Sequence, residues 1–260
     1  MRLFITLASV FCLNSIYSEE CMQPLKVLQQ FENCYDAMCP AREKSDEACI
    51  WLSDIPHPFF NVVMHLSCQD AAHKIDTLLG MVSQELPLSF WVHPENHVQG
   101  LEKILQDRNF IPIIKCPLMA WSVQNISSTL CDIRPVHDNN MNAFMEITAQ
   151  VLEIGGDVKE AYAKFINQAP IEKYLLYLNG NPIATGILVL HENVGGIFNI
   201  AVLHEYQKKG YGRAIMQFLM NRAYSLGLFQ LVLLSSPSAE QFYLDLGFEK
   251  TFDIDVFAKI

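Results

Sequence analysis

Hydrophobic residues recur along the chain with two periods, and together these periods predict an α/β protein. Short apolar runs indicate strands, whereas apolar residues three or four positions apart indicate helices. In the first half the predicted elements are a strand over 59–66, a helix over 71–82, a strand over 88–92, a helix over 97–108 and an extended segment over 113–123. In the second half they are helices over 141–153 and 158–167, strands over 173–178, 183–190 and 197–203, a helix over 211–222, a strand over 229–234, a helix over 239–246 and a strand over 248–257.

The connections between these elements indicate a topology. Asn179-Gly180 separates two apolar runs and predicts a β-hairpin, because a type I′ turn needs positive φ at both positions. A meander followed by β-α-β implies a mixed sheet with helices on its faces. In each half a predicted helix is followed by a short connection, Arg108-Asn109-Phe110 or Leu246-Gly247-Phe248, and then by a strand. This similarity is a weak sign of an internal repeat.

Composition excludes some classes of protein. The 260 residues are 51% hydrophobic and 18% charged, which excludes wholesale disorder and suits one large domain or two small ones. Eighteen basic residues against 28 acidic ones give a net charge of −10, which argues against a nucleic-acid partner. No stretch after the first eighteen residues reaches the ~18 unbroken apolar residues of a membrane span, so we expect no stable membrane insertion.

The amino terminus and the cysteines bear on the compartment. Met1-Arg2, an apolar run over 3–16 and then Ser18-Glu19-Glu20 are typical of a secretory signal peptide, and an ordinary apolar helix is the alternative. All eight cysteines lie at or before Cys131, and none belongs to a C-x-x-C pair. Reduced thiols and a disulfide among Cys21, Cys34, Cys39 and Cys49 both remain open.

One segment between a predicted strand and a predicted helix suggests chemistry. It reads Gln207-Lys208-Lys209-Gly210-Tyr211-Gly212-Arg213-Ala214. The first N–H groups of a helix have no intrahelical partner and lie at the positive end of its dipole, and glycines let the backbone approach an anion closely. The segment is neither a P-loop nor a dinucleotide fingerprint, and a tight strand-to-helix turn is the alternative interpretation.

Its surroundings extend the pattern to a known family. Residues 201–212 resemble the acetyl-CoA signature of the GCN5-related N-acetyltransferases (GNAT), a Gln/Arg-x-x-Gly-x-Gly/Ala loop that follows a strand. Residues 239–248 resemble the second family segment, in which a tyrosine and a Gly-Phe pair recur. The resemblance covers 131–260 and implies the GNAT fold in a catalytic domain there.

The first half resembles the family less specifically. His57-Pro58-Phe59-Phe60 and Ser89-Phe90-Trp91-Val92 resemble segments of two-domain members, in which a degenerate copy precedes the active one. Residues 66–88 contain no Q-x-x-G-x-G, so this copy is not expected to bind acetyl-CoA in the same way. The predicted division is a possible signal peptide or apolar helix over 1–18, a degenerate domain over 19–130 and the catalytic domain over 131–260.

The resemblance assigns roles to individual residues. The backbone of Val202, Leu203 and His204 would lie along the pantetheine arm, with an amide near Val202 facing the thioester carbonyl. Amides of the loop would hold the pyrophosphate, and Lys208 and Lys209 either add positive charge or are merely solvated. The acetyl-CoA-binding residues are Val202, Leu203, His204, Gln207, Lys208, Lys209, Gly210, Tyr211, Gly212, Arg213 and Ser236, the last standing where the family often has an asparagine.

The proton transfers are less completely specified. Tyr243 resembles the tyrosine that protonates the departing CoA thiolate, and a helix-packed aromatic is the alternative. Asn199 is a candidate for orienting a water, because no carboxylate precedes the signature to act as the base. His204 and Glu205 are more typical of a surface loop. Ser238 with Gln241 predicts a capping box.

The resemblance implies an N-acetyltransferase that uses acetyl-CoA, without a metal, on a primary amine of a small molecule or protein. A non-catalytic acetyl-CoA-binding module is the alternative, and a long-chain acyltransferase is a third possibility that rests only on the many Phe and Met residues. Because acetyl-CoA is a cytosolic metabolite, we expect the protein to act in a cytosol, its own or a host's.

Overall fold

In the computed structural model, residues 22–39, 42–45, 47–53, 55–64, 66–83, 86–96, 98–127, 130–168 and 171–259 are described. Their strands are β1 Glu43–Lys44, β2 Cys49–Leu52, β3 Asn61–Met64, β4 Ser89–Val92, β5 Ile111–Ser122, β6 Asp132–Pro135, β7 Glu172–Leu178, β8 Asn181–His191, β9 Val194–Val202, β10 Gln230–Leu234 and β11 Glu249–Ala258. Their helices are α1 Pro24–Met38, α2 Ala71–Met81, α3 Leu101–Gln106, α4 Met141–Val151, α5 Gly156–Gln168, α6 Tyr211–Ser225 and α7 Glu240–Leu244. The predicted signal segment over 1–18 lies outside the described residues.

One mixed sheet runs through both halves of the chain. Its order is β1-β2-β3-β4-β11-β5-β10-β9-β8-β7-β6. Two pairs in this sheet are parallel, β3 with β4 and β9 with β10, and the other neighbours are antiparallel. The expected mixed α/β fold is therefore confirmed, including the hairpin at Asn179-Gly180, whose φ angles of 51° and 82° are both positive.

The two middle strands cross between the halves. β5 precedes residue 131 in sequence, yet it pairs with β10 and β11 of the second half. β11 ends the chain and pairs with β4 of the first half. The order β3-α2-β4-α3-β5 returns as β9-α6-β10-α7-β11, so each repeat gives its last strand to the other. The division at residue 130 stays a prediction.

Helix α1 joins the halves on one face of the sheet. It contacts β8, β9, β10 and β5, and it buries Val27, Leu28, Phe31 and Cys34 there. Gly196 on β9 makes this approach possible, because a Cβ at that position would lie 2.7 Å from Cys34 Cβ. The helix therefore rests directly on the backbone of β9.

Local conformation corrects two predicted elements. The helix expected over 97–108 is only Leu101–Gln106, since Gly100 precedes it with a φ of 73° and interrupts the helix there. The strand expected over 59–66 is Asn61–Met64, because Pro58–Phe60 form a 3₁₀ turn. His57 caps this turn by accepting a hydrogen bond from Phe59 N at 3.3 Å.

The cysteines and the helix lengths add two findings. Cys34, Cys39, Cys49, Cys68, Cys116 and Cys131 carry free thiols, so the alternative of a disulfide among Cys21, Cys34, Cys39 and Cys49 is not formed by the three of these four that are described. Cys21 lies outside the described residues. None of the helices within the described ranges is long and apolar enough to cross a membrane.

Candidate functional site

The parallel strands β9 and β10 separate part-way along their length. They pair only from Val194 to Gly196 on β9, opposite Gln230 to Val232 on β10. β9 then continues to Val202 and β10 to Leu234. Beyond Gly196 no ladder joins the two facing edges in the described chain, so backbone N–H and C=O groups line a gap that we term the splay.

A bulge at Asn199 bends β9 at the splay. The register with β8 shifts between Thr185 and Ile187, so that two residues of β9 stand opposite one of β8. Asn199 has a φ of 52°, a conformation that asparagine tolerates better than most residues. Its Nδ2 donates to Thr148 Oγ1 at 2.9 Å and to Thr185 Oγ1 at 3.3 Å. Its Oδ1 is buried and has no hydrogen-bond partner among the described residues.

The backbone of Val202 faces the splay. Leu203 N donates to Ile183 O at 3.0 Å, so Leu203 points its N–H towards β8. Residues alternate in direction along a strand of an antiparallel pair, and the backbone groups of Val202 therefore point away from β8. That an amide near Val202 faces a thioester carbonyl stays a prediction. His204 follows in the 3₁₀ turn His204–Tyr206.

The loop over 207–212, which we term the glycine loop, connects β9 to the N-terminus of α6. Gly210 has a φ of 90° and precedes the first helical residue, Tyr211. A Cβ at Gly210 would meet no atom within 4 Å, so the space before the helix is open. The Gln207 amide holds the loop closed by donating from Nε2 to Val202 O at 3.0 Å. Gly212 faces α7: a Cβ added to it would lie 3.6 Å from the Phe242 ring.

The basic residues around the loop differ in their surroundings. Lys209 Nζ donates to Glu205 O at 2.8 Å and lies 5.7 Å from the centroid of the Tyr206 ring. Lys208 is exposed and has a φ of 57°. Arg213, in the first turn of α6, is exposed and donates to Asp245 O at 3.4 Å. All three are therefore on the solvent side of the loop, where they raise the positive potential near the helix end.

Tyr243 lies on α7, the helix that follows β10. Its side chain is buried, and its ring is 5.0 Å from that of Phe242 and 5.8 Å from that of Phe248. Burial raises the pKa of the phenol far above its ordinary value, so that Tyr243 stays protonated at neutral pH. No hydrogen bond of its hydroxyl is found within the described residues, which leaves this donor available.

Ser236 lies in the segment before Tyr243. Its Oγ is 3.1 Å from Ser238 Oγ. The predicted capping box of Ser238 with Gln241 is wrong, since α7 begins after Ala239 without a side-chain cap.

A cavity of about 490 Å³ opens beside the splay. The second half contributes Tyr162, Ile197, Phe198, Asn199, Ile200, Ser235, Ser236 and Tyr243, among others. The first half contributes Phe31, Tyr35, Met38, His57, Phe59, Phe60, Trp91, Ile114 and Cys116. We term it the aromatic cavity. It brings Asn199, Ser236 and Tyr243 together, whereas the glycine loop lies at the far end of β9 and does not line it.

The aromatic wall of this cavity was not among the predicted site residues. His57, Phe59, Phe60 and Trp91 do belong to the two segments of the first half that resemble the family. Phe31 and Tyr35 had no such signal, because they come from α1, for which the sequence pattern predicted no element.

Comparison with known proteins agrees with this geometry. The family model described as acetyltransferase (GNAT) domain matches residues 170–250. Residues 170–250 form a GNAT acetyltransferase domain. The matched segment contains β7 to β10, the glycine loop, α6 and α7, and it marks the chain as an acyltransferase. A binding module without catalysis is therefore not favoured. No curated protein sequence matches the chain.

Solved structures resemble the chain beyond the GNAT domain. A functionally unknown conserved protein from Staphylococcus epidermidis is 18% identical with a TM-score of 0.67, covering 85% of this chain and 94% of its own. A GCN5-related N-acetyltransferase from Kribbella flavida is 16% identical with a TM-score of 0.66, covering 91% and 95%. Another from Sphaerobacter thermophilus is 11% identical with a TM-score of 0.60, covering 82% and 76%. At these identities the likeness shows the fold alone, and it extends over the first half of the chain as well as the second.

Proposed function

We propose that the protein transfers the acetyl group of acetyl-CoA to a primary amine. The observation that supports this most is the splay of β9 and β10, with a helix N-terminus after β9 and the buried phenol of Tyr243 on the helix after β10. The first feature suits the phosphates of a nucleotide-bearing donor. The second suits the proton that a departing thiolate needs.

The residues around the splay fit acetyl-CoA. Open space in front of Gly210 leaves room for a pyrophosphate at the N-terminus of α6, whose first N–H groups have no intrahelical partner. The pantetheine arm would lie along Val202, Leu203 and His204, on the side where β10 no longer pairs with β9. Lys208, Lys209, Tyr211 and Arg213 would surround the phosphates, and Ser236 would face the arm from the other side.

The corresponding element of the first half is unsuited to phosphate. Helix α2 occupies the equivalent place in the repeated order of elements. Its N-terminus is capped by Asp70, whose Oδ1 accepts a hydrogen bond from His73 N at 2.9 Å. The Asp70 carboxylate occupies a backbone N–H that a phosphate would otherwise bind, and its negative charge repels a phosphate at this helix end. We therefore assign one acetyl-CoA to the chain, in the second half.

The reaction exchanges one bond for another. The amine nitrogen attacks the thioester carbonyl carbon, the C–N bond forms, the C–S bond breaks, and the amine loses the proton that balances the one gained by the thiolate. Tyr243 gives a proton to sulfur, and the proton released by the amine nitrogen converts the resulting phenolate back to the phenol. The Val202 N–H faces the splay and would stabilise the negative charge that develops on the carbonyl oxygen.

Asn199 would orient the nucleophile. Its Oδ1 lacks a partner and accepts hydrogen bonds only, so an amine N–H is a suitable donor. An amide side chain does not take up the proton at neutral pH. Asn199 is therefore a positioning group, and the amine must arrive uncharged or lose its proton to water.

Acetyl transfer is tested by incubating the purified chain with acetyl-CoA and separate primary amines, while free thiol and product mass are recorded. Phenethylamine, spermidine and a lysine-containing peptide cover three classes of acceptor. The expected result is amine-dependent thiol release, with a product 42 Da heavier, as one acetyl replacing hydrogen requires. The Gly210→Asp variant is the control and should release thiol at least about tenfold more slowly when acetyl-CoA is below saturation. Thiol release without any acetylated amine would contradict the proposal.

A further inference from the structure

We infer that the acceptor is an arylalkylamine: a primary amine on a short chain that carries an aromatic ring and no other charged group. This inference rests on the proposed function and names its substrate class. Three properties of the aromatic cavity support the inference: its wall of aromatic rings, the lack of charged residues in its described lining, and the separation of its polar groups from its rings.

The wall that the first half contributes is a set of mutually packed rings. Trp91 lies at its centre, with ring centroids 5.9 Å from Phe59, 6.1 Å from Tyr35 and 6.3 Å from Phe31. Phe198 of β9 closes the set at 5.8 Å from Phe31. Such spacings are those at which aromatic rings attract one another, so an added ring would continue the same packing.

The polar atoms of these rings are already used. Tyr35 Oη donates to Phe59 O at 2.9 Å, and Trp91 Nε1 donates to Ser89 Oγ at 2.9 Å. Neither donor is left to bind a carboxylate of a ligand. The wall therefore recognises an apolar body.

Charge is absent from the cavity lining as well. No Asp, Glu, Lys or Arg is found among its lining residues in the described chain. Burial lowers the pKa of His57 below its ordinary value of 6.5, so its imidazole is neutral at physiological pH. A carboxylate, phosphate or second ammonium on the acceptor would lose its hydration without gaining a partner of opposite charge.

The apolar lining also explains how the amine is deprotonated although no residue acts as a general base. A cavity of low polarity disfavours the charged form of an amine and lowers its pKa. It therefore selects the neutral amine that is able to attack. This effect works for a monoamine with an apolar body and fails for a polyamine, whose second ammonium stays charged.

The origin of each group gives the acceptor a direction. Asn199, Ser235, Ser236 and Tyr243 all come from the second half, beside the splay. The packed rings around Trp91 come mainly from the first half. An acceptor with its amine towards Asn199 would direct its ring towards Trp91. A cavity of about 490 Å³ is within the ~300–1,000 Å³ range of small-molecule sites.

The decisive comparison uses two amines on the unaltered protein. Phenethylamine and phenylalanine share the ring and the amine, and only phenylalanine carries a carboxylate. We expect kcat/KM for phenethylamine to exceed that for phenylalanine and for putrescine by about 100-fold or more, because each of the latter brings one unpaired charge into the cavity. Equal use of the two aromatic amines would overturn the inference.

A pair of variants then tests the wall. Phe59→Ala removes a ring from the cavity but keeps the backbone groups that bond to His57 and Tyr35. Phe165→Ala removes a ring that contacts Phe60 and Tyr162 without lining the cavity. We expect the first variant to raise KM for phenethylamine about tenfold and the second to change it less than about twofold, with acetyl-CoA affinity unchanged in both. Should Phe59→Ala fail to fold, the comparison of amines decides alone.

The remaining outcomes separate this inference from the proposed function. Acetyl-CoA binding together with acetylation of spermidine or peptide lysine, and not of phenethylamine, overturns the inference and leaves the function standing. Acetyl-CoA binding with no acetylated amine in the panel also overturns it. A preference for octanoyl-CoA over acetyl-CoA would make the cavity an acyl-chain site, which likewise refutes an aromatic acceptor. Absence of any acetyl-CoA binding refutes the function itself.

Discussion

Removing a single oxygen from Tyr243 tests its proposed role in acid catalysis. Tyr243→Phe keeps the ring that packs against Phe242 and Phe248 and deletes only the hydroxyl. Because that hydroxyl has no hydrogen-bond partner among the described residues, its loss orphans no other group. We therefore expect the free energy of unfolding to change by less than about 1 kcal/mol.

The effect on turnover should be much larger. A positioned general acid contributes ~10²–10⁴-fold to a rate, and this range corresponds to about 3–5 kcal/mol of transition-state stabilisation. We expect kcat to fall by that factor, while the affinity for acetyl-CoA, measured by calorimetry, stays the same. The pH profile is a second readout: since burial raises the pKa of Tyr243, the unaltered enzyme should lose no activity to its deprotonation up to about pH 10.

Tyr162→Phe is the matched control. Tyr162 is also buried, lines the same cavity and has a phenol whose pKa burial raises. It comes from α5 rather than α7, so its hydroxyl is not assigned to the leaving thiolate. We expect its loss to lower kcat by less than about threefold. Undiminished turnover in Tyr243→Phe, or an equal loss in both variants, would refute the assignment.

Three further changes have defined outcomes. Burial raises the pKa of Glu32 from 4.5 to about 7, so the stability contributed by its protonated carboxyl is full below pH 4.5 and is lost as the pH rises through 7. Between pH 4.5 and pH 8, the free energy of unfolding of Glu32→Gln should therefore rise by about 3 kcal/mol relative to that of the unaltered protein. Urea unfolding that gives the same difference between the two proteins at pH 4.5 and at pH 8 would contradict this. Gly196→Ala brings a Cβ to 2.7 Å from Cys34 Cβ; it should cost about 1–3 kcal/mol, whereas Gly80→Ala, with nothing within 4 Å, should cost none. Asn199→Gly keeps the positive φ but removes the amide; kcat/KM should fall about tenfold with the loss of one hydrogen bond, and an unchanged value would exclude Asn199 from positioning.

Sequence patterns identified the elements whose apolar period is clean. The hairpin at Asn179-Gly180 and the helix that follows the glycine loop both depend on local signals, a turn dipeptide and a regular apolar face. The glycine loop was identified by its own residues for the same reason. Such features need no long-range contact to be recognised.

Helix α1 was missed because tertiary packing determines it. Gln30 and Glu32 are buried on that helix, so polar residues stand at positions where an amphipathic pattern would have apolar ones. The break at Gly100 was missed for another reason, since a single glycine with positive φ is indistinguishable in sequence from one inside a helix.

The aromatic cavity was beyond sequence patterns altogether. Phe31, Trp91 and Phe198 are far apart in the chain, and each alone is typical of a hydrophobic core. Only the placement of α1 across β9, and of β4 beside β11, brings the rings of Trp91 and Phe198 to 6.3 Å and 5.8 Å from that of Phe31. The same long-range packing gives the bulge at Asn199 its place beside Tyr243.

The central claim is that acetyl-CoA binds at the splay, with its phosphates before Gly210. Calorimetric titration of acetyl-CoA into the unaltered chain, Gly210→Ala and Gly210→Asp tests this most directly. Both variants carry the strain of a side chain at a φ of 90°, and neither Cβ meets an atom within 4 Å, so the difference between them isolates the carboxylate. The expected result is one site per chain, with Gly210→Asp binding at least about tenfold more weakly than Gly210→Ala because like charges repel. No saturable binding by the unaltered chain, or equal affinities in the two folded variants, would contradict the claim.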